Sequence, residues 1–579
     1  MPTLVLKTSL FAAFFCAFLL AGCNTDKPDL NTEVAACAPP TATIASVQGD
    51  GPVSALQGQQ VTVKGIVTLI RDGQGMFIEE PESDRDKRTS NALFIQAETL
   101  ADEISVGALI STRGIVTEID NGRYTVTALT DLVTLVSCSD GNPLPISTIT
   151  LPLDGSGREA LEGMRVQIDG ELVANDVFQL SDGNFTLAGN GIQFVPTEVM
   201  TSGPEANAKS TQNRNYSLPV TLPDELEIDA VISSGSSIID ITGVLAHDGR
   251  GLRLSIQEIS TGPETDFVLP PTAQAGELRV VGMNLHNYFN GDGRGSGFPT
   301  PRGAGTPAEY DQQRDRIAAG IQVLQPHILA VMELENDGFD RLSAASDFIQ
   351  LANASSGSEW QVARPENDDT GSDKITVGLF YRTDILQALG PAQTLTGPEF
   401  RRSRQPIAQV FQQHSDGRRI LVVVNHLKSK GSCPPVGENT KQHDGQGCWN
   451  PMRTASAVKM AAWATELAEQ AGTANILIMG DMNAYRREDP INAIRNSGFI
   501  ELMDDEIGQV YSYIFFGQAG TLDYAFASTA LQRQVQQAFI WHANAIWPPN
   551  MQLPRPWMRF SDHDPVVVDI RLHQSATSD

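Results

Sequence analysis

The sequence predicts a multidomain chain in which an all-β N-terminal half is followed by a layered α/β domain. Three observations carry this expectation. The 579 residues are 41% hydrophobic and 19% charged, an ordinary globular composition with apolar chain for several cores at about 100–200 residues per domain. Up to about residue 262 the hydrophobic pattern alternates with a period of two, in short runs broken by turn residues. After Pro270-Pro271-Thr272-Ala273-Gln274-Ala275-Gly276 the strand-like runs interleave with helix-period segments, as layered α/β domains require.

Charge and cysteines bound the function. Lys and Arg number 41 against 69 Asp and Glu, a net charge of −28. That excludes a protein that grips DNA by neutralising phosphates with a basic surface. An acidic enzyme acting on a polyanion must instead gather positive charge locally or recruit metal cations. At the N-terminus, Lys7, an apolar run over 10–20 and Leu20-Ala21-Gly22-Cys23 have the three regions of an export signal. The run is too short to span a bilayer. A Cys straight after Leu-Ala-Gly resembles a bacterial lipobox, which implies removal of residues 1–22 and acylation of Cys23; an ordinary signal peptide is the alternative. Asn24 resembles the residue that sends Gram-negative lipoproteins to the outer membrane. The expected location is therefore outer-membrane lipoprotein or extracellular, with membrane contact through the lipid anchor only. Cys37, Cys138, Cys433 and Cys448 form an even set in an oxidising compartment. Of the three pairings, proximity favours Cys433–Cys448 and leaves Cys37–Cys138. Zinc is the rival, but no CxxC pair or His cluster accompanies the cysteines.

Taken in order, residues 23–42 are a polar tether. Over 43–140, strands are expected at 61–67, 75–78, 92–95, 113–117 and 124–126, with Asp72-Gly73 and Asn121-Gly122 as hairpin turns. Five such strands suit a small closed barrel, OB-like in kind. Phe77, Phe94 and Tyr124 could stack bases as such surfaces do, but their alternation with polar neighbours favours core. Residues 141–265 form a second β-rich domain with strands at 163–168 and 238–245, and 201–215 is expected as a long surface loop. No chemistry is legible there. A linker covers 266–277. From 278 to 575, strands at 278–283, 328–332, 375–381, 420–425, 476–479, 522–526 and 566–570 alternate with helices. One helix spans 307–324: Thr306 caps it, Pro307 takes the first position, Glu309 completes a capping box, and Ile317, Ile321 and Leu324 form its apolar stripe. Another spans 453–470 with Met460, Trp463 and Leu467 on one side.

Four segments place metal-competent side chains at strand boundaries: Met283-Asn284, Val331-Met332-Glu333-Leu334-Glu335-Asn336, Gly480-Asp481-Met482-Asn483 and Ser561-Asp562-His563-Asp564-Pro565. Carboxylate and amide oxygens are natural ligands of hard cations, and a strand end holds them rigidly yet open to solvent. Singly, such residues are ordinary turn formers. In this order, with Thr521-Leu522-Asp523-Tyr524, they resemble the endonuclease/exonuclease/phosphatase superfamily of DNase I and the exonuclease-III-like repair enzymes. Asn425-His426-Leu427-Lys428-Ser429-Lys430, Asp444-Gly445-Gln446-Gly447-Cys448-Trp449-Asn450, Tyr511-Ser512-Tyr513 and Gly517-Gln518 are similar to its large secreted bacterial extracellular-nuclease branch, whose members also carry β-rich N-terminal modules. Many relatives end in a sorting tail that this sequence does not show.

The resemblance implies a four-layer α/β sandwich, DNase I-like, and roles for particular residues. Glu333 binds the divalent cation with Asn284 and Asp562 beside it; Mg²⁺ or Mn²⁺ is expected, with Ca²⁺ as another oxygen-seeking candidate. Asp481 holds the attacking water and Asn483 orients it or the phosphate. His563, paired with Asp523, is the acid/base unit, and His426 stands where a second catalytic histidine is found. Asn284, Arg404 and Arg453 are the substrate-binding candidates. The implied activity is metal-dependent hydrolysis of DNA, with RNA as a second substrate class, and low sequence preference. Nucleic acid is the only macromolecular partner expected. Two rivals stand beside it. A phospholipid phosphodiesterase of the sphingomyelinase kind would use Trp449 and Trp557 as membrane wedges. A non-catalytic nucleic-acid-binding lipoprotein would be built around the OB-like module.

Overall fold

A computed structural model describes residues 37–100, 104–120, 125–223, 231–247, 251–263, 268–503 and 510–573. The export segment, Cys23, the 121–122 turn and Tyr124 lie outside the described residues. After the short helix α1 (Ile44–Gln48) come β1 (Gln60–Arg71), β2 (Gly75–Glu79), β3 (Ala92–Gln96), β4 (Leu109–Asp120) and β5 (Thr125–Ser139). They close into a barrel in the order β1-β2-β3-β5-β4. Period-two alternation drives this: Val61, Val63, Ile78, Leu93, Ile95, Ile110 and Leu129 fill one core, and closure removes the sheet edges. Gly73 at φ 68° makes the expected β1–β2 turn. Phe77 and Phe94, 4.9 Å apart, are neither barrel core nor an open stacking platform. They pack on Val244 and Ala246 of the next domain.

That domain contains β6 (Ser147–Thr150), α2 (Gly155–Glu159), β7 (Arg165–Asp169), β8 (Leu172–Asp176), β9 (Asn184–Gly189), α3 (Pro196–Val199), α4 (Pro204–Tyr216), β10 (Ser217–Thr221), β11 (Ser237–His247) and β12 (Leu252–Thr261). The sheet runs β12-β10-β9-β8-β11-β7-β6, and β12 also pairs with β11, so it closes on itself. Residues 201–215, expected as a loop, form α4. Pro204 opens the helix and Ala, Lys, Gln and Arg sustain it. Only Ala206 and Asn213 are buried along it, so no apolar stripe could mark it in the sequence. The disulfides Cys37–Cys138 and Cys433–Cys448 are both formed, with Cα separations of 5.6 and 5.5 Å.

The C-terminal domain is built from β13 (Leu278–Tyr288), α5 (Pro307–Leu324), β14 (Ile328–Glu335), α6 (Ala344–Ser356), β15 (Trp360–Val362), β16 (Ile375–Arg382), β17 (Leu386–Ala388), β18 (Gln393–Thr394), β19 (Ile407–Gln413) and β20 (Arg419–His426). Then follow α7 (Asn450–Gln470), β21 (Ile476–Asp481), α8 (Asp489–Asn496), β22 (Ile500–Glu501), β23 (Tyr513–Phe515), β24 (Gln518–Gly520), β25 (Asp523–Ala527), α9 (Thr529–Gln532), β26 (Val535–Ile540) and β27 (Val566–Ile570). One sheet runs β15-β16-β14-β13-β27-β26; the other runs β17-β19-β20-β21-β25-β22, with β18 on β19. The sheets meet through Val280, Ala330 and Met332 on one side and Val422, Val424 and Met479 on the other. α5 and α6 cover the outer face of the first sheet, and α7 and α8 that of the second. Thr306 caps α5 as expected, accepting from the Glu309 N–H at 3.2 Å. On α7 the buried face is Ala457, Met460, Ala461, Ala464 and Ala468, while Trp463 and Leu467 pack at its margin.

Candidate active site

Strand register assembles the site. β20 and β21 are parallel with His426 opposite Asp481, and antiparallel β25 sets Asp523 opposite Asp481. Three adjacent strands thus end in a row of His, Asp and Asp. Gly480 allows that pairing: at φ 137° an added Cβ would lie 2.0 Å from the Asn425 carbonyl oxygen. In the facing sheet, β13 and β14 pair Asn284 with Met332, and the register then slips. Glu333 sits in that irregularity at φ 61°, so its carboxylate leaves the alternating pattern of the strand. Its Oε2 accepts from the Asn287 N–H at 3.0 Å. His286, Asn287 and Asn483 also have left-handed φ, a concentration of strained backbone of the kind found at ligand-handling sites.

The side chains form two His–Asp pairs. His563 Nδ1 lies 2.7 Å from Asp523 Oδ2, and the Ser512 hydroxyl donates to the same oxygen at 2.7 Å. Burial opposes charge on His563, but Asp523, Asp562 and Asp481 outweigh it and hold the imidazole well above its usual range. The Tyr513 ring stacks on it with centroids 4.4 Å apart. His426 Nε2 lies 3.2 Å from Asp481 Oδ2 and 4.0 Å from Glu333 Oε1. Burial, reinforced by the Arg404 charge, pushes His426 well below the imidazole range. Asp481 Oδ1 accepts from the Asn483 N–H at 2.7 Å, and burial raises its carboxyl. Burial would also raise Asp562, yet the neighbouring His286, His563 and Arg559 bring it down to about 2.

Asp481, Asp523 and His563 have ligand atoms within 4.8 Å of one another, the sole such cluster of His, Cys, Asp and Glu among the described residues. With Nδ1 turned to Asp523 and the imidazole favoured as a cation, this cluster is arranged to handle protons. The oxygens of Glu333 and Asp562 are a hard-cation donor set, and Glu333 Oε1 lies 4.0 Å from His426 Nε2. Asn284 Oδ1 accepts from the His286 N–H at 2.9 Å, and its buried Nδ2 lacks a partner, so this amide is suited to donating to an acceptor.

The Endonuclease/Exonuclease/phosphatase family matches residues 288–563. The match falls within the C-terminal domain, which is similar to this family. Its members hydrolyse phosphoester bonds and use divalent metals. No curated protein matches the sequence. Solved structures similar to the chain include the endonuclease/exonuclease/phosphatase from Bacteroides vulgatus, 17% identical over 51% of this chain and 99% of that one, with TM-score 0.35. The human Nocturnin catalytic domain with bound sulfate is also 17% identical, covering 52% and 95%, with TM-score 0.35. A mannosyl-6-phosphatase from Bacteroides thetaiotaomicron is 15% identical, covering 50% and 98%, again with TM-score 0.35.

Other residues of the C-terminal domain behave differently from expectation. Arg453 is fully buried and donates to the carbonyls of Lys428, Gln446 and Cys448 at 2.7–3.1 Å. It staples the Cys433–Cys448 loop and is not exposed to meet a phosphate. Arg404 is buried too and donates to the Leu427 carbonyl at 2.9 Å; burial lowers it to about 10, partly offset by Asp481, Asp373 and Glu333. It acts on the site as a nearby positive charge. Trp449 and Trp557 are buried, the first donating to the Gly431 carbonyl at 3.0 Å and the second lying 4.8 Å from Trp541, so neither is a membrane wedge.

No motif in the sequence points to what the second β domain contributes. Buried Glu198 on α3 accepts from the Thr521 N–H at 3.0 Å and its hydroxyl at 2.9 Å, two residues before Asp523. Arg486 lies between Glu198 at 3.5 Å and Glu501 at 3.1 Å. The Thr197 hydroxyl donates to Glu488 at 2.7 Å, and Glu488 also pairs with Lys430. Asp564 is a further missed positioning residue: it accepts from the Asn544 N–H at 2.7 Å, and the Asn544 amide donates to the His563 carbonyl at 2.6 Å. These links span up to 323 residues, beyond any local motif.

Proposed function

We propose that the protein is an exported, divalent-metal-dependent nuclease that hydrolyses phosphodiester bonds of DNA, and of RNA, with low sequence specificity. The observation that carries this reading is the His563–Asp523 pair set beside Asp481–His426, with the Glu333 and Asp562 carboxylates facing them. Bound at Glu333 and Asp562, a cation such as Mg²⁺ would neutralise non-bridging phosphate oxygens and the leaving oxyanion. Asp481, whose carboxyl burial raises, holds and deprotonates the attacking water, oriented by neutral His426 and by Asn483. Asn284 Nδ2 donates to a phosphate oxygen. His563, kept cationic by Asp523, protonates the leaving oxygen. The Cys23 lipid anchor and outer-membrane location belong to the same proposal, as does an OB-like nucleic-acid module in the N-terminal barrel.

The burial of Trp449 and Trp557 weighs against the lipid phosphodiesterase. The assembled pairs weigh against a non-catalytic binder, because a site with no reaction to perform has no use for a buried imidazolium. The test is hydrolysis of linear and closed circular DNA and of sphingomyelin by the purified mature protein, with Mg²⁺ or Mn²⁺ and with EDTA. Metal-dependent cleavage of both DNA forms is expected. Activity that survives complete chelation, or hydrolysis of sphingomyelin alone, sinks the reading.

A further inference from the structure

Where the second β domain meets the C-terminal domain, a cleft of about 420 Å³ opens beside the active site. Its walls are Phe178 and Gln179 from the second domain and the β23–β24 hairpin from the C-terminal domain. Three large aromatic side chains are left in solvent here: Phe178 is 63% exposed, Phe515 49% and Phe516 80%. Exposed rings clustered in one place do not stabilise a fold, since the gain comes from leaving water. These rings are also ordered with respect to the catalytic centre. Phe516 lies 4.3 Å from Phe515, Phe515 is stacked 6.2 Å from Tyr513, and Tyr513 is stacked 4.4 Å from His563. A ladder of π faces thus leads from open solvent to the imidazole.

The second domain fixes this ladder. Asn175 donates its side-chain amide to the Gly517 carbonyl at the hairpin tip, and Phe194 bridges to Ala519. A smaller depression bordered by Phe178, Tyr513, Arg559 and Asp562 joins the cleft to the catalytic carboxylates. Arg253 lines the second-domain side of the cleft, its guanidinium donating to the Thr221 hydroxyl at 3.0 Å and to the Asn184 and Val220 oxygens at 3.0 and 2.9 Å. Arg559 stands at the active-site end, donating to the Asn544 carbonyl at 2.9 Å. Asp176 is the acid in the cleft, and its carboxylate is turned to the Phe178 N–H at 3.0 Å.

Aromatic faces with amide edges between them, and the Arg559 cation toward the scissile position, match an unpaired nucleobase with its phosphate on the Arg559 side. An acyl chain would find the amides and the carboxylate of Asp176 in its path. A base pair inside a duplex has its faces already covered by its neighbours. Resting on the nuclease reading above, we infer that this interdomain cleft is a nucleobase-stacking subsite for single-stranded nucleic acid next to the scissile phosphate, so that the accessory domain gives the enzyme a preference for unpaired strands.

The test uses the full mature protein. In the His563→Ala background, binding of a fluorescein-labelled single-stranded oligonucleotide and of the blunt duplex of the same sequence is measured by polarisation. A 2-aminopurine base placed near the cleavage position reports stacking by quenching. Single strands are expected to bind more tightly and to quench. Phe516→Ala, Phe515→Ala and Phe178→Ala should each weaken single-strand binding about ten-fold, as base–aromatic contacts do, and Phe516→Trp should restore it. In the active enzyme the same variants should raise KM for single strands with kcat unchanged. Equal affinity for both forms, or phenylalanine variants that bind normally while DNA is still cleaved, overturns the subsite and leaves the nuclease standing. If no nucleic acid is bound or cleaved, the nuclease reading itself fails and the subsite with it.

Discussion

At the scale of single residues, the two histidines are driven in opposite directions by the balance between burial and the charges around them. His563 has Asp523 on Nδ1 and two further acids nearby, so charge is favoured despite burial. For His426 burial prevails, reinforced by the Arg404 charge, so the imidazole is kept neutral. His563→Ala should lower turnover by about 10²–10⁴-fold, the usual contribution of a general acid–base group, with the metal concentration for half-maximal rate unchanged. Asp523→Asn should also cost rate, since His563 would lose the carboxylate that holds its Nδ1 and favours its cationic form. Glu333→Gln should instead raise the metal requirement. Rate against metal concentration for the three variants separates these roles, and recovery of His563→Ala by added metal would refute the acid assignment. These residues are legible because each stands in or beside an apolar strand, where a polar residue stands out. Arg453 was misread because its charge is visible in the sequence and its three carbonyl partners are not.

At the scale of elements, α3 shows how four residues can serve a site in another domain. Glu198→Gln keeps the shape but removes the charge that balances Arg486 and weakens both bonds to Thr521. Turnover is expected to fall several-fold with metal dependence unchanged, and the loss should grow near the melting transition. Stopped-assay rates beside a circular-dichroism melt check this; a variant that melts earlier yet turns over normally when folded would mean that Glu198 only stabilises. Elements with a strong period are legible in the sequence: α5 from its cap and stripe, the barrel strands from alternation. α4 is not, because its buried face is Ala206 and Asn213, the latter's amide donating to the Phe194 carbonyl and to Gln518. A helix that docks through hydrogen bonds carries no hydrophobic signature.

At the scale of the whole molecule, the seam between barrel and second domain contains two buried carboxylates. Glu79 of β2 accepts from the Arg165 N–H at 2.8 Å, and Glu162 accepts from the Thr127 N–H at 3.2 Å. Burial, more than offsetting Arg165, raises Glu79 to about 7. Burial, then Glu159 and Glu118, raises Glu162 to about 8; His247 also faces it at 3.6 Å. Both values exceed the open-chain 4.5, so the folded seam keeps protons that the unfolded chain releases. Its stabilisation is complete below about pH 4.5 and is lost as pH rises through 7 to 8. Melting temperature is expected to fall between pH 5 and pH 8.5 for this reason, and Glu79→Gln with Glu162→Gln should flatten the profile. An unchanged slope in the double variant would show that the seam does not titrate.

Arg486, held between an acid of the second domain and an acid of the last, also makes covalent continuity dispensable. Residues 271–276 run largely over the surface, while on either side of them Glu198, Thr521, Asn175 and Gly517 bind the two parts together. A protease that nicks this segment should cut the polypeptide without parting its halves. The product would migrate as one particle under native conditions and as two fragments in detergent, and it would keep its catalytic row intact, because what joins accessory domain to active site is buried charge and not the thread of the chain.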